Sequence, residues 1–477
     1  MRFAATGPLV GKIWLDVTTI LGWQRPAVGI VRVELECARF ALSDLSSTVE
    51  FCRYDPSRGY LPVAPSVVQE AIERISRGHG AAASADAKQA VMVPGNKLPA
   101  ELRLGSLARR LMNRLPRRLR DPAFLYLSAK RDSAYAAIGA IRELRRAWKL
   151  LGSNSSVRNR PQFTGRFVQS GIRFSKGDVY ISLGLDWDQK DMSFIYHIKM
   201  EIGFKVLSCC YDLIPVKFPH LCVGDVAARF ALYFTDLAWS SDEIVCISER
   251  SRADLLELLT EVGAPIPAAT VFKLGSELAL PDGHAVTDET RSAAGDRFVL
   301  FVSTIERRKN HETLYRAYTR LVDQGETDLP KIVLVGMLGW GVADLLADLQ
   351  FDPRIQGRIE ILSNVGDADL SWLYRNALFT VFPSLYEGWG LPVAESLAAG
   401  KFCLASDRGS IPEVGGDLVE YIDPWDVPRW AQRLKWYFDN PDAVSGAERR
   451  IREEYDSNTW RSSASFVFDR AQKLLSK

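Results

Sequence analysis

The sequence predicts an α/β protein built from two doubly wound, Rossmann-like domains. Three observations carry that expectation. Apolar runs of strand length recur along the chain, each ending in a polar or glycine-bearing loop that leads into a helix-period segment. A polar stretch with Pro281, Gly283 and Gly295 separates two such series and reads as an interdomain linker over Ala279–Asp296. The length, 477 residues, exceeds what one ordinary core holds. The expected division is residues 1–285, carrying a basic helical insertion at 99–161, then 286–455, then a terminal helix over 456–477.

Composition narrows the function classes. With 47% hydrophobic and 25% charged residues, the chain has the make-up of a soluble globular protein. A net charge of +2 is too small to argue for a nucleic-acid partner. Seven cysteines, odd in number and irregularly spaced, do not form a disulfide framework. Cys209 and Cys210 sit in an apolar run, where buried free thiols are common. Five histidines show no zinc-ligand spacing, so no metal site is expected. No apolar run reaches the roughly 18 residues of a membrane span and no signal-peptide pattern is present, so a cytoplasmic location is expected.

In chain order, residues 12–17 read as the first strand and Thr18–Val28 as its loop. Gly29 then opens a helix whose apolar spacing runs through Leu35, Ala38 and Phe40. Arg32 on that helix either supplies charge to a cleft or is an ordinary solvated arginine. Residues 99–161 carry fifteen Lys/Arg against four acids, with Leu104, Leu107, Leu111, Leu115 and Leu119 at helical spacing. Such a helix can lie on an anionic membrane surface, or its leucines can pack on the first domain while the arginines face water. Pro116 would kink it, and Gly152–Ser156 reads as a loop.

Strands follow at 178–183 and 205–210. The second leads into Tyr211-Asp212-Leu213, which puts Asp212 at the carboxyl edge of a parallel sheet, either as a functional carboxylate or as a turn cap. His220 is near in sequence but nothing specific marks it. A strand at 243–247 precedes Ser248, suited to cap a helix, and a strand at 270–274 closes the first domain.

The second series starts with a strand at 298–302. The loop Ser303–His311 contains Arg307, Arg308 and Lys309 just before a helix over 312–321. A cationic pair beside a helix N-terminus is suited to clamp a diphosphate, arginine binding bidentately and lysine as a point charge, or the charged loop simply faces solvent. Strands at 331–335 and 359–362 follow, the latter leading through Asn364-Val365-Gly366 into a helix reaching Tyr374.

The densest stretch is 379–414. A strand at 379–382 meets the turn Pro383-Ser384, the loop Glu387-Gly388-Trp389-Gly390, a helix expected over 393–399 and ended by Gly400, and a strand at 402–405. Gly388 and Gly390 let backbone approach a ligand closely. The N–H groups of Leu391, Val393 and Ala394 are expected to be free at the helix start, favouring an anion. Glu387 before the helix and Glu395 in its expected first turn would flank one pocket, or Glu395 would merely complement the helix dipole. Residues 406–413 continue the loop set. From Pro428 the chain reads as helical, with a last helix over 460–475.

The string SLYEGWGLPVAESLAAG resembles the signature of retaining glycosyltransferase family 4, whose E-x7-E mark is met by Glu387 and Glu395. The resemblance implies the GT-B fold, with the two domains facing each other across a cleft and the terminal segment crossing back to the first domain. It implies that Glu387 meets the donor sugar and Glu395 the ribose, with Ser384, Gly388, Gly390 and Leu391 in the donor loop. Arg308 and Lys309 inherit the diphosphate, and Arg307 stands where proline is common. Val365 becomes the base contact through backbone groups, and the DVT…GIVRVE opening places Gly29 before the donor phosphates. Tyr211 replaces a histidine frequent in the family, which leaves Asp212 to activate the acceptor.

The implied reaction moves a hexose, mannose from GDP-mannose first, to a glycan or lipid-linked saccharide, with retention. It would need neither metal nor cofactor, only the nucleotide sugar as co-substrate, at the inner face of the membrane. Two other readings stay open: a GT-B sugar-nucleotide epimerase and a non-catalytic carbohydrate-binding scaffold. The glutamate pair and Arg308-Lys309 argue against the scaffold, and the basic segment argues against the epimerase.

Overall fold

Runs of β-branched and apolar residues, buried on both faces, form the centres of two parallel sheets. The computed structural model describes residues 11–24, 27, 29–77, 171–172, 174–222, 226–277 and 286–476. The expectations for the basic segment 99–161 and the 152–156 loop lie outside the described residues.

The first sheet comprises β1 (Ile13–Asp16), β2 (Val49–Asp55), β3 (Gly59–Val63), β4 (Val179–Ser182), β5 (Lys205–Cys210), β6 (Glu243–Cys246) and β7 (Ala268–Val271). Their order is β3-β2-β1-β4-β5-β6-β7, parallel except for the antiparallel pair β2–β3. The second sheet comprises β8 (Phe298–Val302), β9 (Lys331–Val335), β10 (Ile359–Leu362), β11 (Thr380–Phe382), β12 (Cys403–Ser406) and β13 (Glu420–Ile422), in the order β10-β9-β8-β11-β12-β13, all parallel. Strand order therefore reverses between β1 and β4 and between β8 and β11. Open α/β sheets bind ligands in the crevice at such a switch point.

Several elements differ from the sequence expectation. The strand expected at 270–274 is Ala268–Val271, because pairing with β6 sets its register from Glu243 opposite Ala268. The stretch read as linker contains the helix Asp288–Ala294, capped by Thr287. The helix expected at 393–399 runs over Leu391–Ala398, with Gly390 at its cap in the left-handed region (φ 104°). Gly400 takes the left-handed conformation (φ 71°) that ends it.

The terminal helix Trp460–Leu475 packs on the first sheet's side of the molecule. Phe468 stacks on Phe40 of the helix Ile30–Asp44 at 5.8 Å, and Phe466 on Phe272 at 6.0 Å. Arg470 forks onto Glu243 at 2.5 and 3.0 Å. Gly275 permits the approach, since a Cβ there would lie 2.4 Å from the Trp460 nitrogen.

The switch point of the first sheet is filled by a buried polar cluster. Lys190 Nζ lies 3.1 Å from Asp16 and 2.9 Å from Asp186, and donates to Ser182 Oγ at 2.7 Å. Burial opposes its charge, but the two carboxylates outweigh it and raise its pKa. Glu34 accepts from the Ile20 N–H at 2.9 Å, and burial pushes its pKa to about 8, so it is neutral at pH 7. Gly184 must be glycine, because a Cβ would stand 2.1 Å from Thr19 Oγ1 and 2.2 Å from Glu34 Oε2. The cluster ties the loop after β1 to the end of β4.

This arrangement makes stability depend on pH with a defined sign. A carboxyl whose pKa is raised from 4.5 to about 8 favours the fold while protonated, and that contribution fades as pH climbs between those values. Glu34→Gln keeps the neutral shape and should therefore gain on the wild type as pH rises from about 5 to about 9 in urea unfolding. A stability difference that stays constant over that range would contradict a neutral Glu34.

Candidate functional site

Neighbouring strands β8 and β11 deliver two loops to one point. After β8, the chain turns through a short helical turn, Arg307–Lys309, and Asn310 adopts the left-handed region (φ 58°) before the helix His311–Asp323. Asn310 holds this shape by donating through Nδ2 to the carbonyls of Pro383 and Pro424 at 3.1 and 2.8 Å. The loop after β11 is stitched to it by the Leu385 N–H to the Arg308 carbonyl, 2.8 Å.

There Glu387 meets both cations. Arg308 Nη1 lies 2.8 Å from Glu387 Oε2, and Lys309 Nζ lies 2.6 Å from Oε1. Ser384 Oγ donates to the same Oε1 at 2.5 Å. Arg308 also reaches Glu306 at 2.8 Å and the Tyr386 carbonyl at 2.8 Å. Burial alone would raise the Glu387 pKa, but Arg308 and Lys309 outweigh it and hold it at about 2. Burial and the neighbouring Arg308 push Lys309 down. His311, packed tilted against Phe301 at 4.4 Å and within 3.2 Å of Ser303 Oγ, is driven to about 3 by burial and is neutral.

The loop after β5 approaches from the first sheet. A Cβ at Gly388 would lie 2.6 Å from the Tyr211 carbonyl and 2.7 Å from Asp212 Cβ, so glycine is what allows this contact. Asp212 Oδ1 accepts from the Ile214 N–H at 3.0 Å, so the capping reading holds, and the same carboxyl also lies beside the ion cluster. Burial raises its pKa, partly offset by Arg308. Tyr211 donates its hydroxyl to the Leu183 carbonyl and is buried. A cavity of about 170 Å³ opens beside Asp212, lined by Trp187, Tyr211, Phe230, Arg308 and Trp340 among others.

Two expectations about the helix start are corrected. Since the helix begins at Leu391, Glu395 falls in its second turn and not its first. The Val393 and Ala394 N–H groups are not free, because both donate to the Gly390 carbonyl, at 2.9 and 3.2 Å. Glu395 is buried and accepts from the Tyr374 hydroxyl at 2.9 Å; burial pushes its pKa to about 7, against the pull of Arg32. Arg32 is not an ordinary solvated arginine. It lies 5.0 Å from the Trp460 ring and donates to the Glu277 carbonyl at 3.3 Å.

The structure thus brings Glu387, Arg308, Lys309, Ser384, Gly388 and Asp212 together. Gly390 and Leu391 begin the adjoining helix. Val365 follows β10, two strands from β8, and Gly29 (φ 52°) caps the helix Ile30–Asp44; neither touches the ion cluster. Sequence reasoning gave no role to Glu306, Asn310 or Tyr386. Only Asn310 left a signal, an asparagine at a helix start, a residue type that tolerates positive φ. Among the described residues, no group of three or more His, Cys, Asp or Glu is placed to hold a metal ion, and no helix is long and apolar enough to cross a membrane.

Gly388→Ala should strain the contact with the Tyr211 backbone and cost about 1–3 kcal/mol, the range for overpacking. Urea unfolding checks this, and an unchanged midpoint would contradict the close approach.

Residues 286–456 match the family described as Glycosyl transferases group 1. The chain is 26% identical over 333 residues to the serotype-specific mannosyltransferase WbdA of Escherichia coli, covering 64% of this chain and 38% of that protein. It is 38% identical over 130 residues to an O-antigen chain mannosyltransferase B of Escherichia coli, covering 27% of this chain and 34% of that one. The chain therefore spans less than two fifths of the length of these relatives. Sucrose-phosphate synthase from Thermosynechococcus elongatus superposes with a TM-score of 0.54 at 15% identity, over 98% of this chain and 99% of that one. The fold is GT-B, two Rossmann-like domains.

Proposed function

We propose that the protein is a retaining glycosyltransferase of family 4, with the E-x7-E pair at Glu387 and Glu395, that moves a hexose from a nucleotide diphosphate sugar to a hydroxyl acceptor. The observation that carries this is the Glu387–Arg308–Lys309 cluster beside the helix Leu391–Ala398, at the switch point of the second sheet. Two partly buried cations and the dipole of the adjoining helix suit a diphosphate better than any neutral ligand. The match of residues 286–456 to group 1 glycosyl transferases supports the same assignment.

In this reading the diphosphate takes over the two cations that Glu387 occupies in the free protein. Glu387 is then released to accept hydroxyls of the donor sugar, and Glu395 those of the ribose. The base lies at Val365, and Gly29 faces the phosphates from the first sheet. The bond from the anomeric carbon to the diphosphate oxygen breaks, and its electron pair leaves with the phosphate. Arg308, Lys309 and the helix dipole stabilise that charge without requiring a metal. The acceptor oxygen bonds to the same face of the carbon, and its proton passes to the leaving phosphate or to Asp212, whose raised pKa suits it to hold one.

The cavity beside Asp212 has aromatic walls that suit the apolar face of a sugar ring, and it supports transfer to an acceptor over an epimerase, which needs none. Similarity to the Escherichia coli mannosyltransferases favours mannose from GDP-mannose and a glycan or lipid-linked saccharide acceptor. The protein would act in the cytoplasm at the inner membrane face, with residues 99–161 contacting anionic lipid.

Calorimetry against GDP, UDP, dTDP and their sugars tests the reading. One nucleotide should bind, and Lys309→Ala should weaken it by about 10-fold or more, the scale of a charge-assisted contact. No binding by the folded protein would move the weight to the scaffold. Glu387→Gln frees the cations, so it should bind the nucleoside diphosphate at least as tightly while turnover of the nucleotide sugar falls by about 10²-fold or more. Near-normal turnover in that variant would remove Glu387 from the mechanism.

A further inference from the structure

We propose that Glu413 is a positioning residue: it clasps the first-sheet helix Glu249–Glu261 and so holds the Glu387 loop in register with Asp212. Its carboxylate accepts from the Glu249 N–H at 2.8 Å and from the Arg250 N–H at 2.7 Å. The first N–H groups of a helix have no partner within it. This helix fills one of them with its own Ser248 hydroxyl, which accepts from Ser251 at 2.9 Å, and two more with a carboxylate from the other domain. A carboxylate at a helix N-terminus is also favoured by the dipole.

Both ends of the clasp run to the loop that carries Glu387. On the donor side, Glu413 belongs to the short helix Ile411–Gly415, whose preceding Ser410 donates its N–H and hydroxyl to the Glu387 carbonyl, both at 3.1 Å. The Ser410 hydroxyl also reaches the Trp389 carbonyl at 2.8 Å, and Gly409 packs so closely that a Cβ would lie 2.4 Å from the Glu387 carbonyl. On the first-sheet side, Ser251 Oγ donates to the Tyr211 carbonyl at 2.8 Å and to the Gly388 carbonyl at 3.2 Å. The Tyr386 hydroxyl donates to Asp254, one helical turn on, at 2.6 Å. Asp254 is itself held by Lys217 at 2.8 Å and by Arg250.

Residues 386–388 are thus bonded to helix 249–261 directly and, through Ser410 and Glu413, a second time. Closing the cleft and setting the Glu387 loop against Asp212 become one event. Glu413 itself touches neither the cations nor the cavity.

Two variants remove the clasp from opposite sides. Glu413→Ala deletes the acceptor. Glu249→Pro deletes one donor while leaving the helix start intact, because proline suits the first helical position and Ser248 is already extended (φ −156°, ψ 161°), as the residue before a proline must be. Three readouts are taken: hydrogen exchange at the Arg250 amide, the radius of gyration in solution, and kcat with affinity for the nucleoside diphosphate. Both variants should expand, and Glu413→Ala, which takes the acceptor away from the Arg250 N–H, should also lose protection there. Turnover should fall about 10-fold or more, the scale of a charge-assisted hydrogen bond, with diphosphate affinity within about threefold of wild type.

Wild-type size in either folded variant, or wild-type Arg250 protection in folded Glu413→Ala, would overturn the proposal, as would an opened cleft with unchanged kcat. If Glu413→Ala does not fold, Glu249→Pro decides. The kinetic readout rests on the glycosyltransferase reading; exchange and scattering do not. A wild type that turns over no nucleotide sugar would sink that reading and leave the clasp to be judged by the other two.

Discussion

A buried carboxylate between two partly buried cations sets the constraint on which the second sheet's loops depend. Arg308 and Lys309 carry the positive charge and Glu387 the negative, all largely out of solvent. Removing either side of such a cluster leaves charge uncompensated in a poorly solvating place, which is far more costly than an exposed ion pair is helpful. The loops after β8 and β11 must therefore stay together unless another anion replaces Glu387. A diphosphate is such an anion. In the proposed reading Glu387 holds, in the free protein, the counter-charge that a donor would bring, and exchanging one for the other would turn the ion cluster into a binding site.

The two switch points solve the same electrostatic problem differently. At β1/β4, Lys190 is locked by Asp16 and Asp186, and Glu34 escapes the cost of burial by staying protonated. Every group there serves to pin the loop after β1, and Gly184 leaves no room to spare. At β8/β11, the cations face a carboxylate on a loop that also meets the first sheet, beside a cavity. One cluster is closed and structural; the other, in the proposed reading, is open to exchange.

Legibility in the sequence followed the physics of each element. The strands β5, β8, β9 and β10 were readable to the residue because they are short, mainly apolar runs bounded by polar loops. The hairpin β2–β3 was not, since β3 is an antiparallel edge strand carrying Pro62, and β13 is only three residues long at the opposite kind of edge. The helix Leu391–Ala398 was placed two residues late, over 393–399, and that shift put Glu395 in its first turn instead of its second. The charged motif residues were visible as types at meaningful spacing. Their partners were not: nothing in the sequence says that Tyr386 will find Asp254, or Glu413 the N–H groups of Glu249 and Arg250, across more than 130 residues. Beside those contacts Gly388, lacking a Cβ, lets two loops from different sheets touch.

The measurement that bears most directly on this account is a crystal structure with a bound nucleoside diphosphate. The account predicts the diphosphate between Arg308, Lys309 and the start of the helix at Leu391, with the Glu387 carboxylate displaced from both cations. A nucleotide seated on the first sheet, or a Glu387 still paired to Arg308 and Lys309 beneath bound phosphate, would contradict it.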